Sequence, residues 1–460
     1  MRKSILMNRY IKYIIFLCLF PLYLSAGESF CFRVYLKDKG DTGFSMEHPE
    51  DYLSAEAIQR RKKNKIAISD SDLPIAPAYI DTLSSTGAIP IVQSKWFTTV
   101  VMESPDSTIA DRLKQLSIVD SVKWVWKGTR KAPAEYKDKK RIECIDTPLK
   151  DKYGYATRQI KMLNGIKLHE EGFQGEGMRV AVIDAGFQNV DRIAAFDSLH
   201  LLGTHNVVFP GHSVFVGDDH GTKVLSCLAA NIPGVMVGTA PQASYFLIKS
   251  EESDSEFPIE EDYWTAAVEY ADSVGVDVIS SSLGYFSFDT DELSYKHSDL
   301  DGKTAFISRA ANFAASKGLL IFCSAGNEGS GNWEKITFPA DAANIFTVGA
   351  ICEDKKKSTF SSIGYTTDGR IKPDAVALGS GSCVIEPSGE IRYANGTSFA
   401  TPILAGLGIC LWQALPRLSN MDIIEVLHRY SSQYKHPDPE LGYGIPNIYK
   451  AYKKERKNAL

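Results

Sequence analysis

Cysteine is sparse and unpatterned in this chain of 460 residues: there are eight, and none is spaced as Cys-x-x-Cys. That removes the zinc-ribbon and thioredoxin-type readings, which need cysteines paired at that spacing. An excess of one charge is also missing. Lys and Arg total 51 against 56 Asp and Glu, a net charge of −5, so no global basic field argues for nucleic acid. Past the N-terminus, no apolar run approaches the roughly 20 residues that a bilayer requires. With 44% hydrophobic and 23% charged residues, the chain is not collagen-like, low-complexity or disordered. Its length allows two or three domains with a large core.

The N-terminus carries a pattern of its own. Arg2, Lys3, Arg9 and Lys12 precede an apolar stretch over residues 14–24 (IIFLCLFPLYL), followed by Ser25-Ala26-Gly27. This is the layout of a secretory signal peptide, with cleavage expected after Ala26. The apolar run is too short for a retained anchor, and Leu17 before Cys18 argues against lipoprotein processing. Export to the periplasm or the exterior is the expectation. Without Cys18, seven cysteines remain, an odd number. Cys227, Cys323 and Cys410 lie in apolar runs, where Cys behaves as a small hydrophobe, so buried free thiols are expected. A Cys323–Cys352 pair is the alternative in an oxidising compartment.

The remainder divides in two. Residues 30–37 (FCFRVYLK) and 119–126 (VDSVKWVW) alternate as strands, and 88–102 is an apolar run expected to form one bent strand or a pair. Helical patterns cover 54–65, 75–83 and 106–116, and the basic run 60–63 reads as a solvated helix face. Such interleaving over residues 27–126 predicts a small α+β unit of the ferredoxin-like kind. The charged, poorly periodic stretch 127–152 reads as a linker. From 153 to 460 the texture changes: short apolar runs at 178–183, 245–249, 276–280, 319–323 and 345–348 alternate with helical stretches at 221–230, 260–274 and 304–317. Runs of that kind suit strands buried on both faces of a mostly parallel sheet. The expected fold is α/β, a three-layer doubly wound sheet whose sites form at the carboxyl ends of the strands.

Three reactive side chains fall at such ends. Asp184 closes the run MRVAVID, His220 opens a helix in DDHGTKV, and Ser398 lies in NGTSFATP ahead of a long apolar helix. Singly, each has an ordinary explanation: a strand-end Asp, one of nine histidines, a helix N-cap. Together they supply a nucleophile, a base to take its proton, and a carboxylate to hold that base in the right tautomer. A fourth group, Asn327 in SAGNEG, offers an amide to a developing oxyanion.

The segments VIDAG, HGTKV, SAGNEG and GTSFATP resemble the four signature blocks of the subtilisin-like (subtilase) serine proteases, in family order, over residues from about 155 to 450. The resemblance implies a secreted serine endopeptidase that hydrolyses peptide bonds through an acyl-enzyme intermediate. Asp184 matches the orienting acid, His220 the general base, Ser398 the nucleophile and Asn327 the oxyanion donor. Ser282-Leu283-Gly284 resembles the segment that pairs with substrate backbone, a form of β-augmentation. It further implies that region 27–126 is an inhibitory propeptide, that the enzyme is a self-processed zymogen, and that the cut falls in the linker. The implied partners are protein or peptide substrates and the chain's own N-terminal region, with no nucleic acid and no membrane span in the mature chain.

Two positions depart from the family pattern. Ala185 stands where Thr or Ser usually follows the Asp, and Lys223-Val224-Leu225-Ser226 replaces the usual continuation of the His block. Lys223, one turn from His220, is expected to depress the imidazole pKa. Around residues 231–238 no Asp and Asn stand at calcium-loop spacing, so no cofactor is expected to be required; structural calcium is left open but not indicated. Gly175-Glu176-Gly177 precedes its strand, whereas a dinucleotide loop must follow one. The remaining rival is a catalytically silent protease-fold binding module.

Overall fold

The computed structural model describes residues 27–135, 140–457; the signal-peptide reading of the first 26 residues, with Cys18, lies outside them. The N-terminal unit is a four-stranded antiparallel sheet built from β1 (Ser29–Leu36), β2 (Ile89–Ser94), β3 (Thr99–Ser104) and β4 (Val119–Gly128). The sheet order is β2-β3-β1-β4, which is the ferredoxin-like arrangement expected. The run 88–102 thus forms a strand pair. Helices α1 (Ala55–Lys63), α2 (Pro77–Ser84) and α3 (Ile109–Lys114) complete this unit. Phe32, Val34, Leu83, Val100, Met102 and Leu113 form its own small core.

The larger unit is a seven-stranded parallel sheet. Its strands are β5 (Arg179–Asp184), β6 (His200–Asn206), β7 (Ser244–Lys249), β8 (Val278–Ser281), β9 (Leu320–Ser324), β10 (Phe346–Ile351) and β11 (Ala375–Leu378). The order is β11-β10-β9-β8-β5-β7-β6. Side chains alternate between two cores, Val180 and Val182 to one and Ala181 and Ile183 to the other. Burial on both faces is why these strands read as near-continuous apolar runs. Helices α4 (His220–Ala229) and α7 (Thr397–Ala414) cover one face, and α5 (Ile259–Ser273) and α6 (Phe306–Ser316) the other. By length and composition α7 could cross a bilayer, which the apolar-run count did not anticipate; it is 89% buried inside the fold, and that burial explains its apolarity.

The basic run of α1 corrects an expectation. Arg60 and Arg61 are buried, not solvated: both donate to Asp272 on α5, and Arg61 also to Asp72 (3.0 Å), which Lys317 approaches at 3.1 Å. Asp272 lies some 200 residues away and Asp72 eleven residues on, both beyond the helix's own pattern. Arg33 forms a fork with Asp262 (2.6 and 2.7 Å), and the Glu269 carboxylate accepts the backbone N–H groups of Lys95 (2.9 Å) and Trp96 (3.1 Å). Phe97 packs on Phe306, and Trp96 on Phe313. The N-terminal unit is therefore docked on α5 and α6 through buried ion pairs and aromatic contacts, rather than mainly through backbone pairing.

The linker leaves β4 and is pinned by Arg130, whose guanidinium pairs with Glu103 (3.3 Å), donates to the Val208 carbonyl and lies over Phe209. It then runs along the outside of the larger unit, where Ile142 N–H donates to the Arg192 carbonyl (2.9 Å) and Leu149 N–H to that of Gly234 (2.8 Å). Among the described residues it forms no backbone hydrogen bond with residues 282–284. The seven described cysteines are free, five of them buried, so the Cys323–Cys352 alternative is not what the structure contains.

Candidate active site

The carboxyl ends of β5, β7, β8 and β9 open onto one cleft of about 380 Å³, lined among others by His220, Ser282, Leu283, Gly284, Asn327 and Ser398. Asp184 ends β5 fully buried behind it. The structure thus brings Asp184, His220, Ser398, Asn327 and 282–284 to the same edge of the sheet.

His220 is the first residue of α4, and the Asp218 carboxylate accepts its backbone N–H (2.8 Å), tying down the helix start. Its ring Nδ1 lies 2.7 Å from Asp184 Oδ1, which also accepts the Ala185 N–H (2.9 Å). A carboxylate only accepts, so Nδ1 carries the proton and Nε2 is left to face the cleft. This contact needs α4 to approach β5 closely: a Cβ on Gly221 would stand 2.4 Å from the Gly186 carbonyl oxygen. Only glycine fits there.

Ser398 sits in the first turn of α7. Its hydroxyl donates to the Ser282 carbonyl (3.3 Å), and the Ser282 hydroxyl donates back to the Ser398 carbonyl (2.8 Å). In this resting arrangement Oγ faces Ser282 rather than His220; rotation about χ1 redirects it without moving the helix. Hydrogen bonds of this kind are often incomplete without substrate.

Asn327 follows β9 on a turn where Gly326 has φ +101° and a Cβ would meet Thr337 at 2.8 Å. Its Oδ1 accepts both the backbone N–H (2.9 Å) and the hydroxyl (3.0 Å) of Thr397. Both partners are donors, so the amide oxygen must face them and the NH₂ group points the other way. Thr397 was not singled out from the sequence, although it stands beside Ser398 in the GTS triplet.

Burial pushes the His220 pKa down, but the Asp184 charge and hydrogen bond, with Glu251 and Asp218 behind them, carry it up to about 9. The expected depression by Lys223 does not occur, because its ammonium is neutralised by Asp219 (2.8 Å) and Glu386 (3.9 Å). Glu251, also unmarked in the sequence, lines the cleft and is raised to about 7, chiefly by burial and then by Asp184. No group of three or more His, Cys, Asp or Glu among the described residues converges to hold a metal. The segment 231–237 is a hairpin, Asn231 opposite Val237, with no carboxylate in it.

Comparison with known proteins places this geometry. Residues 175–444 match the subtilase family, peptidase S8, and residues 31–143 match the peptidase S8 propeptide domain of Bacteroidota. The chain is 31% identical over 257 residues to subtilisin BL of Lederbergia lenta, covering 55% of this chain and 83% of that protein. It is also 31% identical over 286 residues to M-protease of Shouchella clausii, covering 61% of this chain and 63% of that one, less than two thirds of its length. Among solved structures, the prenylagaramide maturation protease PagA is similar in fold, with TM-score 0.51 and 23% identity over 63% of this chain and 97% of that one.

Proposed function

The chain belongs to the subtilase family of serine-type endopeptidases, and from that premise we propose that it hydrolyses peptide bonds with Ser398 as nucleophile, His220 as general base, Asp184 as its orienting carboxylate and Asn327 as oxyanion donor. The observation that carries this reading is the 2.7 Å His220–Asp184 contact, in the cleft where Asn327 is held by Thr397 beside Ser398. His220 Nε2 takes the Ser398 proton as Oγ attacks the substrate carbonyl carbon. The oxyanion is met by the Asn327 NH₂ and the Ser398 backbone N–H, and the leaving amine recovers the proton from His220. Water then hydrolyses the acyl-enzyme by the reverse relay. The family's chemistry needs no cofactor, and structural calcium is common in it.

The propeptide and protease matches support reading the N-terminal region as an intramolecular inhibitor and proteins as the substrate class. Our reading of the chain is a signal peptide over 1–26, an inhibitory unit over 27–126, a linker over 127–152 that is cut on activation, and the peptidase over 153–460. The mature enzyme acts outside the cytoplasm, without nucleic acid and without a membrane span.

A fluorophosphonate probe tests the assignment, since only an activated serine is phosphonylated. The mature protein is expected to label at Ser398. The rate should rise with pH as His220 loses its proton, with a midpoint above the ordinary imidazole value of 6.5 and up to about 9. Replacing Glu251 by Gln removes one of the negative charges that hold that proton, so the midpoint should move down. No labelling at any pH would leave a silent binding module as the better description. Asn327→Ala removes a donor aimed at charge present only in the transition state; kcat should fall about 10²–10³-fold with KM little changed. Steady-state kinetics on a peptide amide check this.

A further inference from the structure

Beside the cleft lie three glutamates, of which Glu256 and Glu260 are charged mainly against other carboxylates, while Glu251 also faces His220 and Lys249. Glu251 and Glu256 line the cleft, and Glu260, at the start of α5, is 1% exposed just behind them. Glu260 Oε1 accepts the Glu252 N–H (3.2 Å), while its Oε2 is buried with no partner at all. Among the described residues no Lys or Arg is ion-paired with any of the three. Burial, then mutual repulsion, raises Glu256 to about 8 and Glu260 well above the usual carboxylate range. An arrangement of this kind is stabilised by whatever brings a positive charge into it.

We propose that this corner of the cleft is a specificity pocket for a lysine or arginine side chain of the substrate, on the N-terminal side of the bond that is cut. The inference rests on the proteolytic reading above and names its substrate class. The carboxyls do not converge tightly enough to hold a metal ion. A guanidinium or ammonium on a flexible stem, with several donors to distribute, suits separated acceptors. The linker in which the activation cut is proposed carries such residues, Lys140-Arg141 among them. Tyr285, whose hydroxyl reaches Glu251 at 3.4 Å, supplies an aromatic wall for the stem.

The test is a set of fluorogenic tetrapeptide coumarylamides in which each of the four positions before the cut carries Lys, Arg, Ala or norleucine in turn. Norleucine matches the lysine stem without its charge. The mature enzyme is expected to favour Lys or Arg over norleucine in kcat/KM by about tenfold or more at one position at least. In Glu251→Gln and Glu256→Gln that ratio should fall towards one. An enzyme that labels with fluorophosphonate and cuts the set, yet takes norleucine as readily as Lys and Arg everywhere, overturns this inference alone, and so does a ratio that neither variant moves. The wild-type scan decides even where a variant does not fold. An enzyme that neither labels nor cuts any member overturns the proteolytic reading together with this one.

Discussion

Ser398→Ala is expected to abolish peptide hydrolysis, leaving at most the residual rate of about 10³–10⁴ over water that binding and an oxyanion hole provide on their own. The residue is held in the first turn of α7, with Ser282 bonded to it in both directions, so the backbone should keep its place when the hydroxyl is lost. The variant should also accumulate as a precursor about 12–15 kDa larger than the mature form, the mass of the N-terminal unit and linker. Mass spectrometry of the secreted protein reads the processing site, and hydrolysis of a peptide amide reads the activity loss. Normal maturation of Ser398→Ala in a protease-free host would show that another enzyme makes the cut.

The second large effect is expected at Asp272. This carboxylate is fully buried and serves both Arg60 and Arg61, while Asp72 shares Arg61 and approaches Lys317. Asp272→Ala leaves two guanidinium groups buried with too little negative charge. The penalty for breaking such a pair is about 3–5 kcal/mol, much larger than the net worth of the intact pair against an apolar replacement. Urea unfolding of the full-length Ser398→Ala precursor, with and without Asp272→Ala, measures that loss directly. Adding Arg60→Met and Arg61→Met should recover much of it, because the stranded charges are removed with their partner. No recovery would mean that Asp272 acts through α5 itself rather than through the ion pairs. Because these charges are out of water, the loss should change little between low and moderate salt.

What the sequence made legible was whatever repeats locally. Five of the seven sheet strands announced themselves as apolar runs, since burial on both faces leaves no polar alternation. The two missed strands explain themselves. β6 (HLLGTHN) is an edge strand with His200, Leu201 and Thr204 exposed, and β11 (AVAL) is a short edge strand closed in by Asp374 and Gly379. Asp184, His220, Asn327 and Ser398 were singled out because each sits in a block with its own glycine or turn signature. Thr397 and Glu251 have no such marking, and they matter only through what the fold sets beside them. Arg60 and Arg61 were misjudged for the same reason, as a basic run looks identical whether water or a distant carboxylate receives it.

The buried sulfurs have a consequence of another kind. Cys31 lies in the N-terminal unit and Cys227, Cys323, Cys383 and Cys410 in the larger one, each free and at most 1% exposed. Burial raises the pKa of every one of them, so neither thiolate chemistry nor access favours a reagent in the closed protein. A thiol dye therefore keeps time for the molecule. Each cysteine reacts only as fast as its own neighbourhood opens, and since Cys31 reports on one unit and Cys410 on the other, a single mass spectrum taken during labelling separates departure of the N-terminal region from unfolding of the catalytic body.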